Sequence, residues 1–168
     1  MIFDAHAHVY PAAGGFWKRA STAEELIAAM DRSGVSRATV IAIEPHITAE
    51  EVCDAATRFP ARLVPIGSVD PFAADAPAAI DHQVKALGVR GIKLHPRLQR
   101  IRFEDLARVE PIAVRCGVLG VPLIVCSFAG GGTCFGGVHW SSAMSWRRPR
   151  PRRPSSWPTR GDTGRWMR

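Results

Sequence analysis

The sequence predicts an α/β fold: a partial (β/α)8 barrel of about five βα units, followed by a disordered Arg/Pro/Trp-rich tail. Three observations carry that expectation. Five short apolar runs alternate with segments of helical periodicity between residues 1 and 126. The runs are nearly continuous in Val, Ile, Leu and Ala, as strands of a parallel sheet buried on both faces are. The composition then changes abruptly after Cys126.

The elements follow in order. Met1–Ala7 is a short apolar opening that reads as a strand. Ser21 and Thr22 each have a Glu three residues on, a capping-box pattern, and Ala23, Leu26, Ile27 and Met30 continue at helical spacing until Gly34. Arg37–Ile43 is β-branched and strand-like. Thr48, with Glu51 three residues later, opens a second helix whose stripe is Val52, Ala55, Ala56 and Phe59. Leu63–Val69 is a third strand, Pro77–Leu87 a third helix with Ile80, Val84 and Leu87 on one face, and Val89–His95 a fourth strand. Pro111 suits the first turn of a helix over Ile112–Cys116 that leads to Gly117. Pro122–Cys126 is the fifth strand. Strands separated by helices imply a parallel sheet with right-handed crossovers. No GxGxxG follows the first strand, so a dinucleotide-binding fold gains no support, and the barrel is preferred over a doubly wound sheet for the chemistry below.

Charge separates the chain into two parts. The 168 residues carry 22 Lys+Arg and 15 Asp+Glu, a formal charge of +7. Residues 1–126 are neutral, with 14 side chains of each sign, while residues 127–168 hold eight Arg against Asp162 alone. A basic globular domain is therefore excluded. No run of 18 apolar residues suggests a membrane span, MIFDAHAHVY does not read as a signal peptide, and the four cysteines form no CxxC. A reducing, cytoplasmic setting is expected.

Chemistry concentrates at strand ends. In Asp4-Ala5-His6-Ala7-His8, alternate side chains share a strand face, so His6 and His8 project together and can chelate a divalent metal, with Asp4 placed to orient a ligand. In Gly91-Ile92-Lys93-Leu94-His95-Pro96, Lys93 and His95 share one strand face and Ile92 and Leu94 the other, and Pro96 ends the strand and begins the βα loop. Barrel enzymes place their sites at this end of the strands. The bland alternatives are an idle HxH, a Lys93 that caps the barrel interior and a His95 that satisfies loop carbonyls.

The order DAHAHVY, a capped helix, VPIGSVDP, GIKLHP and GVPLIV resembles the amidohydrolase superfamily, over residues 1 to about 127. Within it the similarity is to the metal-dependent hydrolase and decarboxylase branch that includes aminocarboxymuconate-semialdehyde decarboxylase. The resemblance implies a TIM-type barrel with one divalent ion, zinc by expectation, at the strand C-termini, and a small carbonyl-containing substrate. His6 and His8 match the strand-one metal pair. The next metal histidine of the family ends strand five, where this chain has Cys126, itself a possible zinc ligand. A histidine on strand six and an aspartate on strand eight have no match in the tail, where His139 and Asp162 stand in unrelated contexts.

The domain expectation is thus 1–127 as the N-terminal part of the barrel and 128–168 as a disordered tail. That tail lacks Leu, Ile, Lys, Glu, Asn, Gln and Tyr, and holds four of the five Trp. It reads as an out-of-frame stretch of GC-rich coding sequence: shifting the frame across residues 156–162 permits Leu-Ala-His-Ala-Gly-Gly, with Ala forced at the Trp157–Pro158 junction. A C-terminally truncated barrel would be impaired, so an inactive fragment is the alternative to an active enzyme. Five strands leave two open edges, which admits a homo-oligomer. A nucleic-acid partner for the Arg/Trp tail is the third and weakest reading.

Overall fold

A computed structural model describes residues 1–10 and 20–126. Five parallel strands, β1 (Ile2–Ala7), β2 (Val35–Ile41), β3 (Leu63–Ser68), β4 (Ile92–Leu94) and β5 (Leu123–Val125), form one sheet in the order β1-β2-β3-β4-β5. Between them run α1 (Ala23–Ser33), α2 (Ala49–Arg58), α3 (Ala76–Lys85) and α4 (Leu106–Leu119), the last preceded by a short 3-10 turn, Phe103–Asp105. Strand order equal to sequence order settles the architecture. A doubly wound sheet reverses its order at a switch point, whereas right-handed crossovers that always step the same way put every helix on one face, as in a barrel. The described residues lie within one compact unit, Met1–Gly136. The expectations for residues 128–168 lie outside the described residues.

The helix-facing side of the sheet is the core. Ala7, Val9, Ala38, Val40, Ala42 and Leu63 pack with Ala23 and Met30 of α1 and Val52, Ala55 and Ala56 of α2. Val69, Ile92 and Leu94 pack with Ile80 of α3 and Val109, Ile112 and Cys116 of α4. Alternation then assigns the opposite face to Asp4, His6 and His8 on and after β1, Thr39 and Ile41 on β2, Ile66 and Ser68 on β3, Lys93 on β4 and Ile124 on β5. Two-sided burial holds for β2 to β4. It does not hold for β1, whose Ile2 and Phe3 are exposed because the strand pairs on one side only.

Both capping boxes form. Thr22, rather than Ser21, caps α1 with Glu25, and Thr48 caps α2 with Glu51, each through reciprocal side-chain and backbone bonds. Gly34 ends α1 in the left-handed conformation its lack of a Cβ allows. The fourth helix differs from its expected bounds. It begins five residues before Pro111 and passes Gly117, ending at Gly120, whose φ of 68° terminates it. Pro111 is tolerated inside because it and Ala107, whose carbonyl loses its donor, both face solvent. The second strand starts at Val35 and the fourth is confined to Ile92–Leu94.

Candidate metal centre

His6 is the penultimate residue of β1 and His8 lies just past its end, so the pleat sends both imidazoles to the face away from the helices. Their Nε2 atoms stand 3.1 Å apart, with the rings edge to face. His8 Nδ1 lies 2.8 Å from the Ile41 carbonyl, which can only accept, so that nitrogen carries the proton and Nε2 keeps its lone pair. His6 Nε2–H is then the donor to His8 in the metal-free arrangement. Two nitrogens bound to one zinc at about 2.0–2.1 Å lie roughly 2.9–3.4 Å apart, so the observed separation fits a chelating pair once His6 moves its proton to Nδ1.

Electrostatics favour neutral, ligating imidazoles. Burial, then the nearby Lys93 charge, push His6 below the usual histidine value, against an opposing pull from Asp4. Burial dominates at His8 as well; the Ile41 hydrogen bond opposes it, and His6, Lys93 and His95 add to the depression. Asp4 orients no imidazole. Its Oδ1 accepts the His6 backbone N–H at 2.9 Å, so the orienting role expected of it belongs to the Ile41 carbonyl. A backbone oxygen 33 residues away carries no sequence signal.

Lys93 and His95 reach the same end of the sheet from β4. Lys93 is buried, and its charge lowers the proton affinity of His6, His8 and His95 alike. At His95 burial comes first, followed by Lys93. Its Nδ1 accepts the Leu98 N–H at 3.3 Å, which leaves the proton on Nε2, the opposite tautomer from His8. Gln99, which sequence reasoning passed over, holds this loop. Its Oε1 accepts the His95 N–H, its Nε2 donates to the Val69 carbonyl, both at 2.8 Å, and its own N–H returns to the His95 carbonyl at 2.9 Å. Ser68 and Gln83 support β4 in the same way: Ser68 Oγ donates to the Lys93 carbonyl, and Gln83 Nε2 donates to the Ser68 carbonyl. Gln83 fits there because Gly67 has no side chain; a Cβ at that residue would fall 2.0 Å from Gln83 Oε1.

Cys126 follows β5, tied to β4 by its N–H to the Leu94 carbonyl at 3.2 Å; burial lowers the proton affinity of Lys93, and Cys126 opposes that shift. It does not join the histidine pair in a ligand cluster. Among the described residues, no group of three or more His, Cys, Asp or Glu is arranged to hold a metal ion. The chain therefore brings together two donor nitrogens, a buried ammonium and an Nε2–H donor. His139 and Asp162 lie outside the described residues.

The amidohydrolase family model matches residues 3–160. Among solved structures, a probable 2-pyrone-4,6-dicarboxylic acid hydrolase from Acinetobacter baumannii, crystallised with citric acid bound, is similar with a TM-score of 0.56 and 16% identity, over 74% of this chain and 48% of that one. An uncharacterised TIM-barrel protein from Bordetella bronchiseptica gives 0.55 and 22%, over 66% and 41%. A 5-carboxyvanillate decarboxylase from Novosphingobium aromaticivorans, with bound manganese, gives 0.51 and 23%, over 58% and 32%. These likenesses agree with the fold as a partial (β/α)8 barrel, and the chain spans less than half the length of each of these structures. No curated protein sequence matches the chain.

Proposed function

This chain belongs to the amidohydrolase family, and from that premise we propose that it carries the first half of a divalent-metal-dependent hydrolase or decarboxylase site for a small carbonyl-containing substrate. The observation that supports this is the His6–His8 pair, whose Nε2 atoms stand 3.1 Å apart at the C-terminal end of the first strand. His6 and His8 would hold the ion, and zinc is the choice that two imidazoles favour. When bound, a divalent ion supplies Lewis acidity toward a substrate carbonyl.

The protein's own groups prepare that chemistry. The Ile41 carbonyl fixes the His8 tautomer, and burial with the Lys93 charge favours the unprotonated form of both imidazoles. His95 presents an Nε2–H from the neighbouring loop, suited to donate to a developing negative charge on substrate oxygen.

Metal analysis of the purified full chain tests it. Wild type is expected to retain close to one equivalent of zinc or manganese after dialysis, and His6→Ala and His8→Ala are each expected to lose it. Equal metal content in all three proteins would reject the pair as ligands, and wild type without metal would favour an inactive relative.

A further inference from the structure

Lys93 is 1% exposed, the one charged side chain that the fold buries completely among the described residues. An ammonium taken out of water normally comes with a carboxylate, because its lost hydration is otherwise uncompensated. Here fourteen of the fifteen Asp and Glu are described, and none of them lies within ion-pair distance of Lys93. Its backbone neighbours across the sheet are Ser68 on β3 and Ile124 on β5. Ser68 gives its hydroxyl to the Lys93 carbonyl and not to the ammonium. Ile41 and Ile66 share this face of the sheet and are themselves buried. Three imidazoles feel the Lys93 charge; burial lowers the lysine's own proton affinity, and Cys126 opposes that shift.

We infer that Lys93 is a specificity residue whose ammonium is the counter-ion for a carboxylate carried by the substrate. The inference rests on the metal-dependent reading for where the substrate carbonyl sits, but the anion site itself needs no metal. One buried ammonium neutralises a single negative charge. A phosphate dianion would leave excess charge on that one buried cation, so a carboxylate is the ligand chemistry assigned.

Calorimetric titration of the full chain with butyrate and with butyramide, its uncharged counterpart, tests this with and without added zinc. Wild type is expected to prefer butyrate by about tenfold or more in both conditions, since the charged pair forms in a desolvated site. Lys93→Met is expected to bring the ratio to about one while zinc uptake stays intact, and Lys93→Arg to keep a preference for butyrate. Wild type that does not distinguish the two compounds overturns the inference, as does Lys93→Met with an undiminished preference. Inorganic phosphate bound as tightly as butyrate overturns the carboxylate assignment. If Lys93→Met fails to fold, the wild-type ratio and Lys93→Arg still decide. Wild type that takes up no zinc yet prefers butyrate rejects the metal reading and leaves Lys93 in its assigned role.

Discussion

His8 owes its chemical disposition to one hydrogen bond. The Ile41 carbonyl claims its Nδ1 proton, and the lone pair on Nε2 follows from that choice. His95 is set the opposite way by the Leu98 N–H, and Gln99 holds the loop that presents it. Gln99→Ala strands the His95 N–H and the Val69 carbonyl together, so it is expected to cost about 1–3 kcal/mol, read from the urea midpoint. Gln99→Glu removes the donor to Val69 and keeps the acceptor for His95, so its loss should be smaller. Cys116 offers a second residue-level check. Burial pushes its thiol up to about 11, so an aromatic disulfide reagent at pH 8 should leave it unmodified in the native protein and label it on unfolding. At this scale the sequence disclosed His6, His8, Lys93 and His95, because strand alternation is local. It did not disclose Ile41 or Gln99, since their partners are chosen by strand adjacency.

The helices show where local signals suffice and where they compete. Thr48 and Glu51 cap α2 as their spacing requires, and Thr48→Ala is expected to cost about 1 kcal/mol in chemical denaturation. In α4 the proline signal at residue 111 pointed to a helix start, but the apolar stripe of Val109, Ile112 and Cys116 extends the helix through it. Packing of that stripe outweighs one missing hydrogen bond on the solvent side. Pro111→Ala restores the donor to Ala107 and should stabilise the protein by about 1–3 kcal/mol. Between helices, Asp81 of α3 bonds Arg115 of α4 and, one turn along its own helix, Lys85. The Arg115 bond first, then the Lys85 bond, hold the Asp81 carboxyl below its usual value. Its stabilisation is therefore full above the unfolded carboxyl value of about 3.9 and disappears as pH falls through the lower folded value. Asp81→Asn should lower the denaturation midpoint at pH 7 and make the fall toward pH 3 shallower, as measured by parallel urea titrations.

The whole sheet places the site. Each crossover steps in the same direction, so the helices take one face and the polar residues His6, His8, Ser68 and Lys93 take the other, at the ends where the strands give way to loops. The helix-side core that holds this arrangement is tight: Ile92 and Ile80 are fully buried. Ile92→Ala should cost about 2–5 kcal/mol. Loss of helical circular dichroism and exposure of Cys116 should shift together to lower urea concentration if β3, β4, α3 and α4 unfold as one unit. Separate transitions for the two probes would show that the second core cluster opens by itself.

By itself the sequence determined the alternation of strands and helices, both capping boxes, the spacing of His6 with His8 and of Lys93 with His95, and the neutrality of residues 1–126. Each of these depends on spacing within a few residues or on counting. Only the tertiary structure decided that the sheet is singly wound, that β1 is an edge, that His8 is tuned by Ile41, and that Lys93 is buried without a carboxylate partner among the described residues. Those facts come from which strands lie side by side, and adjacency across the sheet joins residues 25 to 33 positions apart that no local pattern connects.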